Sequence, residues 1–374
     1  MRSIILAIVA LVVGALVGMY VLAPKKMATE PAPAAQPAAT AAPAAAPAPA
    51  QQTATAGAGQ TLANVRNNGQ LVCGINTGLP GFATPDDKGA WAGFDVDFCR
   101  AMSAAIFGDA NKVSYKPLTG KTRFPALQSG EVDVLSRNTT WSFLRDVNLG
   151  FDFAGVTYYD GQGFIVRKSL GVKSAKELNN ASVCIQSGTT TELNLADYFR
   201  ANNITFTSVV TEDAAEARQN YEAGRCDAYT TDRSGLAAQR AVMQDPNEHV
   251  ILPDVISKEP LAPAVRHGDN QWADIAAWTR NVLILAEEFG ITSANVDQMK
   301  ESPNPEIRRL LGVEDDYGTM LGLSKDWAYN IIKLVGNYGE IYDRHIGASS
   351  PLGLERGANA LARDGGLLYS PPFR

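Results

Sequence analysis

The feature that most constrains the fold is a phrase that the chain uses twice. Residues 127–135 are LQSGEVDVL, and residues 221–229 are YEAGRCDAY. In each copy a helix-like segment meets a glycine suited to a helix C-terminus, and a short strand-like run comes next. Repeated helix–strand units in both halves of the chain predict two α/β sheets with parallel strands. Ligands bind at the carboxyl ends of such strands, so we expect a cleft where two sheets face each other.

The same alternation of helix-like and strand-like patterns surrounds both copies of the phrase. Strands are predicted where short apolar runs occur, and helices where apolar residues recur at helical spacing. The predicted strands are 71–75, 112–118, 132–136, 181–186, 204–210, 226–232 and 260–268. The predicted helices are 93–108, 124–130, 189–203, 212–224 and 270–290, with helical packing spacing again in 324–347.

The N-terminus differs from the rest of the chain. Residues 4–23 are an apolar run, and about 20 helical residues rise about 30 Å, enough to cross a bilayer. We assign residues 1–27 to a signal peptide or a retained membrane anchor, and under both alternatives the remainder of the chain is exported. Residues 28–60 are rich in Ala and Pro, which predicts a semi-extended linker.

Composition excludes several functions. The formal net charge of -6 over 374 residues argues against nucleic acid as a partner, because phosphate binding needs an excess of Lys and Arg. Three His and no CxxC or HxxxH spacing give no metal site. The four Cys of an exported chain favour disulfides over free thiols. We favour Cys73 with Cys99 and Cys184 with Cys226, because each pair stays within one half.

Polar clusters occur where the predicted strands end and a helix begins. A free amino acid needs a guanidinium or helix N-terminus for its carboxylate and an acidic group for its ammonium. Thr189 and Glu192 have capping-box spacing, which marks a helix start. A plain helix cap, a surface turn and a surface ion pair are the structural alternatives. The clusters contain Asn138, Thr139, Thr140, Ser142 and Arg145, then residues 187–192, then Thr230, Thr231 and Asp232.

Two longer motifs carry a family resemblance. GFDVDF at 93–98 and RFPALQSGEVD at 123–133 resemble motifs of the family 3 extracellular solute-binding proteins, the polar amino-acid receptors of ABC importers. VGNYGEIY at 335–342 and SPLGLERG at 350–357 resemble its general L-amino-acid receptor branch. The resemblance implies an α/β, two-lobed periplasmic-binding-protein-like fold of type II, with two hinge strands and a C-terminal helical extension.

The resemblance also implies a function. The chain would be a periplasmic, monomeric receptor that closes on L-amino acids with a broad range of side chains and delivers them to ABC permease subunits of the inner membrane. No catalysis, cofactor or metal is implied. Enzymes on the same fold, such as periplasmic dehydratases, and sensory ligand-binding modules are the alternatives. For an enzyme, Glu259 at the expected hinge would be the candidate general acid, but we favour a structural hinge carboxylate there.

Site roles are implied by the resemblance, residue by residue. Arg145 and Thr140 would bind the ligand carboxylate together with backbone N–H groups at the start of a helix, and acidic and amide side chains would bind its ammonium. Two family ring walls are replaced, by Leu79 with Phe82 nearby and by Gly120 with Lys121. The implied ligand-binding residues are Asn138, Thr140, Arg145, Gly188, Thr189, Thr190, Asp232 and Phe82.

Domain limits complete the sequence-based expectations. The first lobe would comprise residues 61–161 and return over 259–300, and the second lobe would comprise 162–258. Residues 301–374 would be an extension packed on the first lobe. Hinge strands are expected near 162–165 and 257–263.

Overall fold

The computed structural model describes residues 59–374. The predicted signal peptide or anchor lies outside the described residues, as does nearly all of the predicted linker. Within the described part, none of the helices combines the length and the apolar character needed to cross a membrane.

Helices and strands alternate along the first two thirds of the described chain. The helices are α1 (Gln60–Asn68), α2 (Phe94–Phe107), α3 (Arg123–Ser129), α4 (Thr190–Ala201), α5 (Ala214–Glu222), α6 (Arg233–Ala241), α7 (Asn270–Glu288), α8 (Val296–Met299), α9 (Pro305–Leu310), α10 (Trp327–Leu334) and α11 (Tyr338–His345). The strands are β1 (Leu71–Asn76), β2 (Thr84–Pro85), β3 (Trp91–Ala92), β4 (Val113–Leu118), β5 (Val134–Leu135), β6 (Phe151–Phe153), β7 (Tyr158–Asp160), β8 (Gln162–Arg167), β9 (Ala181–Gln186), β10 (Phe206–Thr211), β11 (Ala228–Asp232), β12 (His249–Ile251), β13 (Glu259–Leu261) and β14 (Ala264–Arg266).

The strands form two sheets of the same design, which confirms the two-lobed α/β fold. The first has the order β4-β1-β5-β14-β6, and the second has the order β10-β9-β11-β8-β12. In each, three parallel strands are followed by antiparallel strands. The repeated phrase supplies the third parallel strand of each sheet, β5 and β11. The strand after the glycine therefore lies in the same place in both lobes.

The chain crosses between the two sheets twice. Strand β7 leads out of the first sheet and β13 leads back, and the two pair antiparallel with Asp160 opposite Glu259. The second crossing lies within the expected 257–263. The first lies earlier than the expected 162–165, because Gln162 already begins β8 and pairs with Asp232 in the second sheet. The hinge is therefore the β7–β13 ribbon.

Each lobe has its own apolar core. In the first lobe, α2 and α7 bury one core that extends to the C-terminal helices, where Trp272 and Trp327 are almost fully enclosed. In the second lobe, the Phe164 and Phe199 rings stack with centroids 5.7 Å apart. Apart from Ala238 of α6, which packs with the first lobe's cluster, the buried apolar residues of the two lobes form separate clusters.

The C-terminal extension is helical and packs on the first lobe's helices α2 and α7. The helical spacing of 324–347 is divided into two helices, because Gly336 adopts a φ of 103° that ends α10. His345 of α11 contacts the buried Asp97 carboxylate of α2, with Nε2 2.7 Å from Oδ2. Further on, Asn359 makes two hydrogen bonds to the backbone of Tyr159 in the hinge strand β7. The extension thus touches the hinge as well as the helices.

Each disulfide joins two cysteines of the same lobe, and each lobe has one disulfide. Cys73 of β1 pairs with Cys99 of α2, and Cys184 of β9 pairs with Cys226 next to β11. This is the pairing favoured from the sequence. Each bond closes a loop of the same lobe, so neither restricts the movement of one lobe against the other.

Candidate functional site

Polar residues at the ends of β5 and β11 meet between the lobes. After β5 the chain continues through Ser136 to Thr140, and β11 ends at Asp232 before α6. The Thr140 hydroxyl lies 3.3 Å from the hydroxyl of Thr190 at the start of α4, which belongs to the other lobe. The loop after β5 and the start of α4 therefore face each other across one interlobe cleft.

Asn138 is held in an uncommon conformation by its neighbours. Its φ is 34°, a left-handed value that Asn tolerates better than most residues. Its backbone N–H donates to Asp95 at 2.8 Å, and its side-chain oxygen accepts from Asn76 at 2.9 Å. Burial raises the pKa of Asp95 to about 7, although this N–H and the charge of Arg137 oppose the shift. Asp95 thus positions the loop that carries Asn138.

Arg145 lies in a π-helical turn, Leu144–Asn148, and its side chain points inward. It is 7% exposed, and its Nη1 donates to the Thr140 carbonyl at 2.8 Å. Burial lowers the pKa of Arg145 to about 10, while the negative charges of Glu259 and Asp232 oppose the decrease. Arg145 and Asp232, from different lobes, are therefore close enough to interact electrostatically.

Asp232 is buried without a compensating partner. It is 6% exposed and stands before α6, but its side chain does not cap that helix. Within residues 59–374 its carboxylate accepts no hydrogen bond and forms no ion pair. Burial, followed by the charges of Asp160 and Glu259, raises the pKa of Asp232 well above its usual value. A cation placed here would restore its ionised form.

Glu259 joins the two lobes through four hydrogen bonds. One carboxylate oxygen accepts from the Thr140 and Thr190 hydroxyls, at 2.5 and 2.9 Å. The other accepts from Asn194 at 2.7 Å and from Ser257 at 2.6 Å. Glu259 is 1% exposed. An internal carboxyl group thus contacts the Thr140 hydroxyl, which the sequence suggested for a ligand, and the Thr190 hydroxyl of the other lobe.

The second lobe contributes the loop before α4. Thr189 caps this helix, accepting from the Glu192 N–H at 3.3 Å. The Glu192 carboxylate accepts from Gly188 N–H at 3.1 Å, where Gly188 has a φ of 70°. A Cβ at Gly120 of the first lobe would come within 2.4 Å of the Ser187 carbonyl oxygen. The absence of a side chain at Gly120 therefore lets the lobes approach closely here.

Phe82 is not part of this cluster. It is 1% exposed, and its ring lies in the core of the first lobe, 5.7 Å from the Tyr158 ring and 6.1 Å from the Phe94 ring between centroids. Its surroundings are those of a core residue, so the expectation of a ligand-facing ring at Phe82 is corrected. Among the other predicted site residues, Thr140 and Thr190 contact each other across the lobes, and Arg145 and Asp232 interact electrostatically.

Sequence reasoning missed two residues of the cluster and did not reveal the contacts of a third. Arg123 reaches across to the Gly188 carbonyl at 3.3 Å, although in the sequence it looks like an ordinary first residue of an amphipathic helix. Asp160 of the hinge acts electrostatically on Asp232, and burial raises the pKa of Asp160 to about 6. Glu259 was named only as a candidate acid or a hinge carboxylate. A single Glu in the sequence does not reveal that side chains from both lobes will donate four hydrogen bonds to it.

Metal ligation does not explain the acidic residues. Among the residues that the structure describes, no three His, Cys, Asp or Glu side chains are arranged to hold a metal ion.

Comparison with known proteins agrees with this architecture. Residues 71–302 match the sequence model for bacterial extracellular solute-binding proteins, family 3. The chain belongs to this family. This family 3 protein is 62% identical over 323 residues to the general L-amino acid-binding periplasmic protein AapJ of Rhizobium johnstonii, which covers 86% of this chain and 95% of that protein.

Two further relatives show the same extent of similarity. The glutamate/glutamine/aspartate/asparagine-binding protein BztA of Rhodobacter capsulatus is 58% identical to this family 3 protein, over 86% of this chain and 95% of that protein. Among solved structures, an ABC transporter periplasmic binding protein from Brucella ovis with glutathione bound superposes with a TM-score of 0.82 at 58% identity. That match covers 84% of this chain and 99% of the other, so it includes the C-terminal extension as well as both lobes.

Proposed function

We propose that this protein is a periplasmic receptor that binds L-amino acids between its lobes and delivers them to an ABC importer. One observation carries the proposal. A buried guanidinium, Arg145, and a buried carboxylate, Asp232, come from different lobes, interact across one cleft and form no ion pair within residues 59–374. A zwitterion supplies the missing partner of each.

The residues divide by the charge they would bind. Arg145, the Thr140 hydroxyl and the backbone N–H groups of Thr189 and Thr190 would bind the α-carboxylate, with Gly188 allowing the loop its close approach. Asp232 would bind the ammonium, together with the Asn138 side chain. The ligand carboxylate would compete with Glu259 for the Thr140 and Thr190 hydroxyls.

Closure is a consequence of this division. A ligand held by the first lobe alone leaves its ammonium without a buried partner, and one held by the second lobe alone leaves its carboxylate without one. All contacts are complete only when the cleft is shut, so ligand shifts the population toward the closed form. Permease subunits in the inner membrane would recognise that form. We place the protein in the periplasm as a monomer, with an N-terminal tether as an open alternative to a cleaved signal.

The range of ligands would be broad. AapJ is named for general L-amino acids and BztA for four of them, which supports recognition of the shared head group. Leu79 and Gly120 replace the two ring walls implied by the family resemblance, so few groups would select the ligand side chain.

A thermal-shift screen of the twenty amino acids tests the proposal. A ligand that binds only the folded protein raises its apparent stability by RT ln(1 + [L]/Kd). Several L-amino acids should raise the melting temperature, while their D-enantiomers and decarboxylated amines should not. Stabilisation by no amino acid, at concentrations up to several millimolar, would overturn the proposal.

Catalysis is not part of the proposal. Glu259, the candidate general acid, already accepts four hydrogen bonds, three from hydroxyl groups and one from an amide. A carboxyl group whose two oxygens both accept hydrogen bonds from the surrounding side chains has the contacts of a structural acceptor at the hinge. Ligand recovered unchanged after prolonged incubation would support binding without chemistry.

A further inference from the structure

The C-terminal extension holds one strand of the hinge by its backbone. Asn359 of the extension is 4% exposed and bonds to Tyr159 of β7 through both ends of its side-chain amide. The Tyr159 N–H donates to Oδ1 at 2.6 Å, and Nδ2 donates to the Tyr159 carbonyl at 3.1 Å. The amide thus takes the place that a neighbouring strand would have at this edge of β7.

The other edge of β7 offers Tyr159 no hydrogen bond. Tyr159 lies opposite Pro260 of β13, which has no N–H to donate. The Pro260 carbonyl accepts instead from the Trp141 N–H at 2.8 Å. Tyr159 and Pro260 therefore exchange no hydrogen bond, as at alternate positions of an antiparallel pair. The backbone N–H and carbonyl of Tyr159 point to the outer edge, where Asn359 bonds to both.

Two further side chains hold the chain just before Tyr159. The Tyr338 hydroxyl of α11 donates to the Thr157 carbonyl at 2.7 Å. Nε of Arg280 in α7 donates to the Val156 carbonyl at 3.0 Å. Up to Tyr159, the chain is therefore fixed to the first lobe and to the extension that packs on it.

The next two residues are held by the second lobe. The Gly161 carbonyl accepts from the Arg233 N–H at 2.9 Å. A carboxyl oxygen of Asp160 accepts from the Ser234 N–H at 3.2 Å, and both donors belong to the first turn of α6. The change from first-lobe to second-lobe contacts is thus confined to the step from Tyr159 to Asp160. A bend at this step disturbs the fewest of these contacts.

Asn359 is itself fixed to the first lobe, through Arg356. Nε of Arg356 donates to the Asn359 carbonyl at 2.8 Å, and its guanidinium forms an ion pair with Glu287 of α7 at 3.1 Å. The same guanidinium lies 5.0 Å from the centroid of the Tyr338 ring and 4.8 Å from that of the Tyr342 ring. Asn359 therefore connects β7 to the body of the first lobe.

We propose that Asn359 is a positioning residue for ligand binding, which keeps β7 part of the first lobe and confines the bend of the first crossing to the step from Tyr159 to Asp160. The inference rests on the proposed function, because a positioning role requires a ligand that closes the cleft. Ordering a backbone costs conformational entropy. With β7 already ordered in the open form, ligand binding does not have to supply that cost on closure. The extension thus raises the ligand affinity without contacting the ligand.

Asn359→Ala tests this role, with Asn337→Ala as the matched control. Asn337 is also a buried amide of the extension, and its side chain also makes two hydrogen bonds, but its partners Ile291 and Glu340 are not hinge residues. Calorimetry gives the dissociation constants of L-glutamine and of every other amino acid that raises the wild-type melting temperature. Asn359→Ala should weaken binding by about 5- to 30-fold, the equivalent of ordering about one more backbone residue on closure. Asn337→Ala should lose stability but change the affinity by less than about threefold.

Backbone hydrogen exchange gives a second readout, which a purely structural role would not produce. In ligand-free Asn359→Ala, exchange should be faster over residues 156–161, and saturating ligand should slow it again, because closure orders β7. In Asn337→Ala, faster exchange should be confined to the chain around Ile291 and the start of α11. Tyr338→Phe keeps the ring and removes the hydroxyl that holds Thr157, so it carries the test if Asn359→Ala does not fold. It should weaken binding by about 2- to 10-fold, the equivalent of one hydrogen bond.

The outcomes separate the inference from the proposed function. Unchanged affinity in Asn359→Ala would mean that Asn359 only stabilises the fold, and would overturn the inference. Equal weakening in Asn337→Ala, or faster exchange spread over the whole first lobe, would overturn it too. In these cases amino-acid binding itself survives. A wild type that binds none of the twenty amino acids would instead remove the proposed function, and the role of Asn359 in ligand binding with it.

Discussion

Replacing Asp232 by Asn separates the charge of this residue from its shape. The carboxylate is 6% exposed and accepts no hydrogen bond within residues 59–374, so the ligand ammonium would be its one close partner. Losing one partner of a buried charge pair costs about 2–5 kcal/mol. Amino-acid binding should therefore weaken by about 30-fold to several thousand-fold.

The same substitution should stabilise the ligand-free protein. Burial and the charges of Asp160 and Glu259 raise the pKa of Asp232 well above its usual value. The folded state then binds a proton that the unfolded state has released, so wild-type stability falls as pH rises from the ordinary Asp pKa toward the raised value. Asn removes this loss. The variant should be the more stable protein at neutral pH, and the two curves should converge below about pH 4.

Calorimetric titration and thermal unfolding measure the two effects. Wild-type titrations in buffers of different ionisation enthalpy should also detect a proton released on binding, because the ammonium favours ionised Asp232. Asp227→Asn is the matched control at the other end of the same strand. Hydrogen bonds from Ser182 lower the pKa of Asp227, so this control should lose stability without losing affinity. Asp232→Asn with unchanged affinity would refute the assignment of the ammonium site.

Three other substitutions test the hinge, the lobe contact and the loop support. Glu259→Gln places an amide N–H₂ against side chains that now donate to the carboxyl group, and each lost hydrogen bond should cost about 0.5–1.5 kcal/mol. X-ray scattering without ligand should therefore show a larger radius of gyration, and an unchanged profile would contradict this. Gly120→Ala puts a Cβ 2.4 Å from the Ser187 carbonyl oxygen of the other lobe, so it should weaken ligand binding without lowering the stability of the ligand-free protein. The control Lys121→Ala, at an exposed position, should change neither the affinity nor the stability. Equal ligand affinities of the two variants would contradict this. Asp95→Asn removes a carboxyl group whose pKa is about 7 in the folded protein and about 3.8 in the unfolded chain. In denaturant unfolding, the variant's free energy of unfolding should exceed that of the wild type by up to about 4 kcal/mol above about pH 8, and should equal it below about pH 4. A difference that does not change with pH would contradict this.

Local patterns were sufficient to predict most elements. Strand β9 has the limits expected from its apolar run, and α2 differs from the prediction by one residue at each end. Two glycines explain one helix end that was predicted correctly and one helix break that was not predicted. Gly130 ends α3 with a φ of 79°, as its position in the phrase indicated. Gly336 breaks the helical spacing of 324–347, because its φ of 103° is incompatible with a continuing helix.

The hinge was harder to locate because pairing partners are distant in sequence. The apolar run 260–268 is divided before Ala264 into β13, which belongs to the hinge ribbon, and β14, which belongs to the first five-stranded sheet. Nothing local to residues 158–160 shows that they pair with 259–261. The capping prediction was half right for a similar reason: Thr189 caps α4, but Glu192 accepts from Gly188 rather than from Thr189, because Gly188 is left-handed.

The positions of the candidate site residues could be predicted where a repeat marked them, but not where the two lobes meet. Arg145 and Asp232 come after the two copies of one phrase, so their shared location is a consequence of the shared topology. Arg123 and Glu259 depend on contacts between lobes, such as Arg123 to Gly188 and Glu259 to Thr190. Such contacts depend on how two folded bodies meet, which no short segment specifies.

The distribution of charge explains why the receptor would need its ligand in order to close firmly. The first lobe presents buried cations at the cleft and the second presents buried Asp232, yet neither set forms close ion pairs within residues 59–374. Direct pairing of Arg145 with Asp232 would stabilise an empty closed state and would compete with the ligand. Glu259 instead accepts uncharged donors from both lobes, and these bonds stabilise closure only modestly. The unpaired cations and the buried carboxyl group of Asp232 therefore reserve most of the closing free energy for a zwitterion that satisfies both.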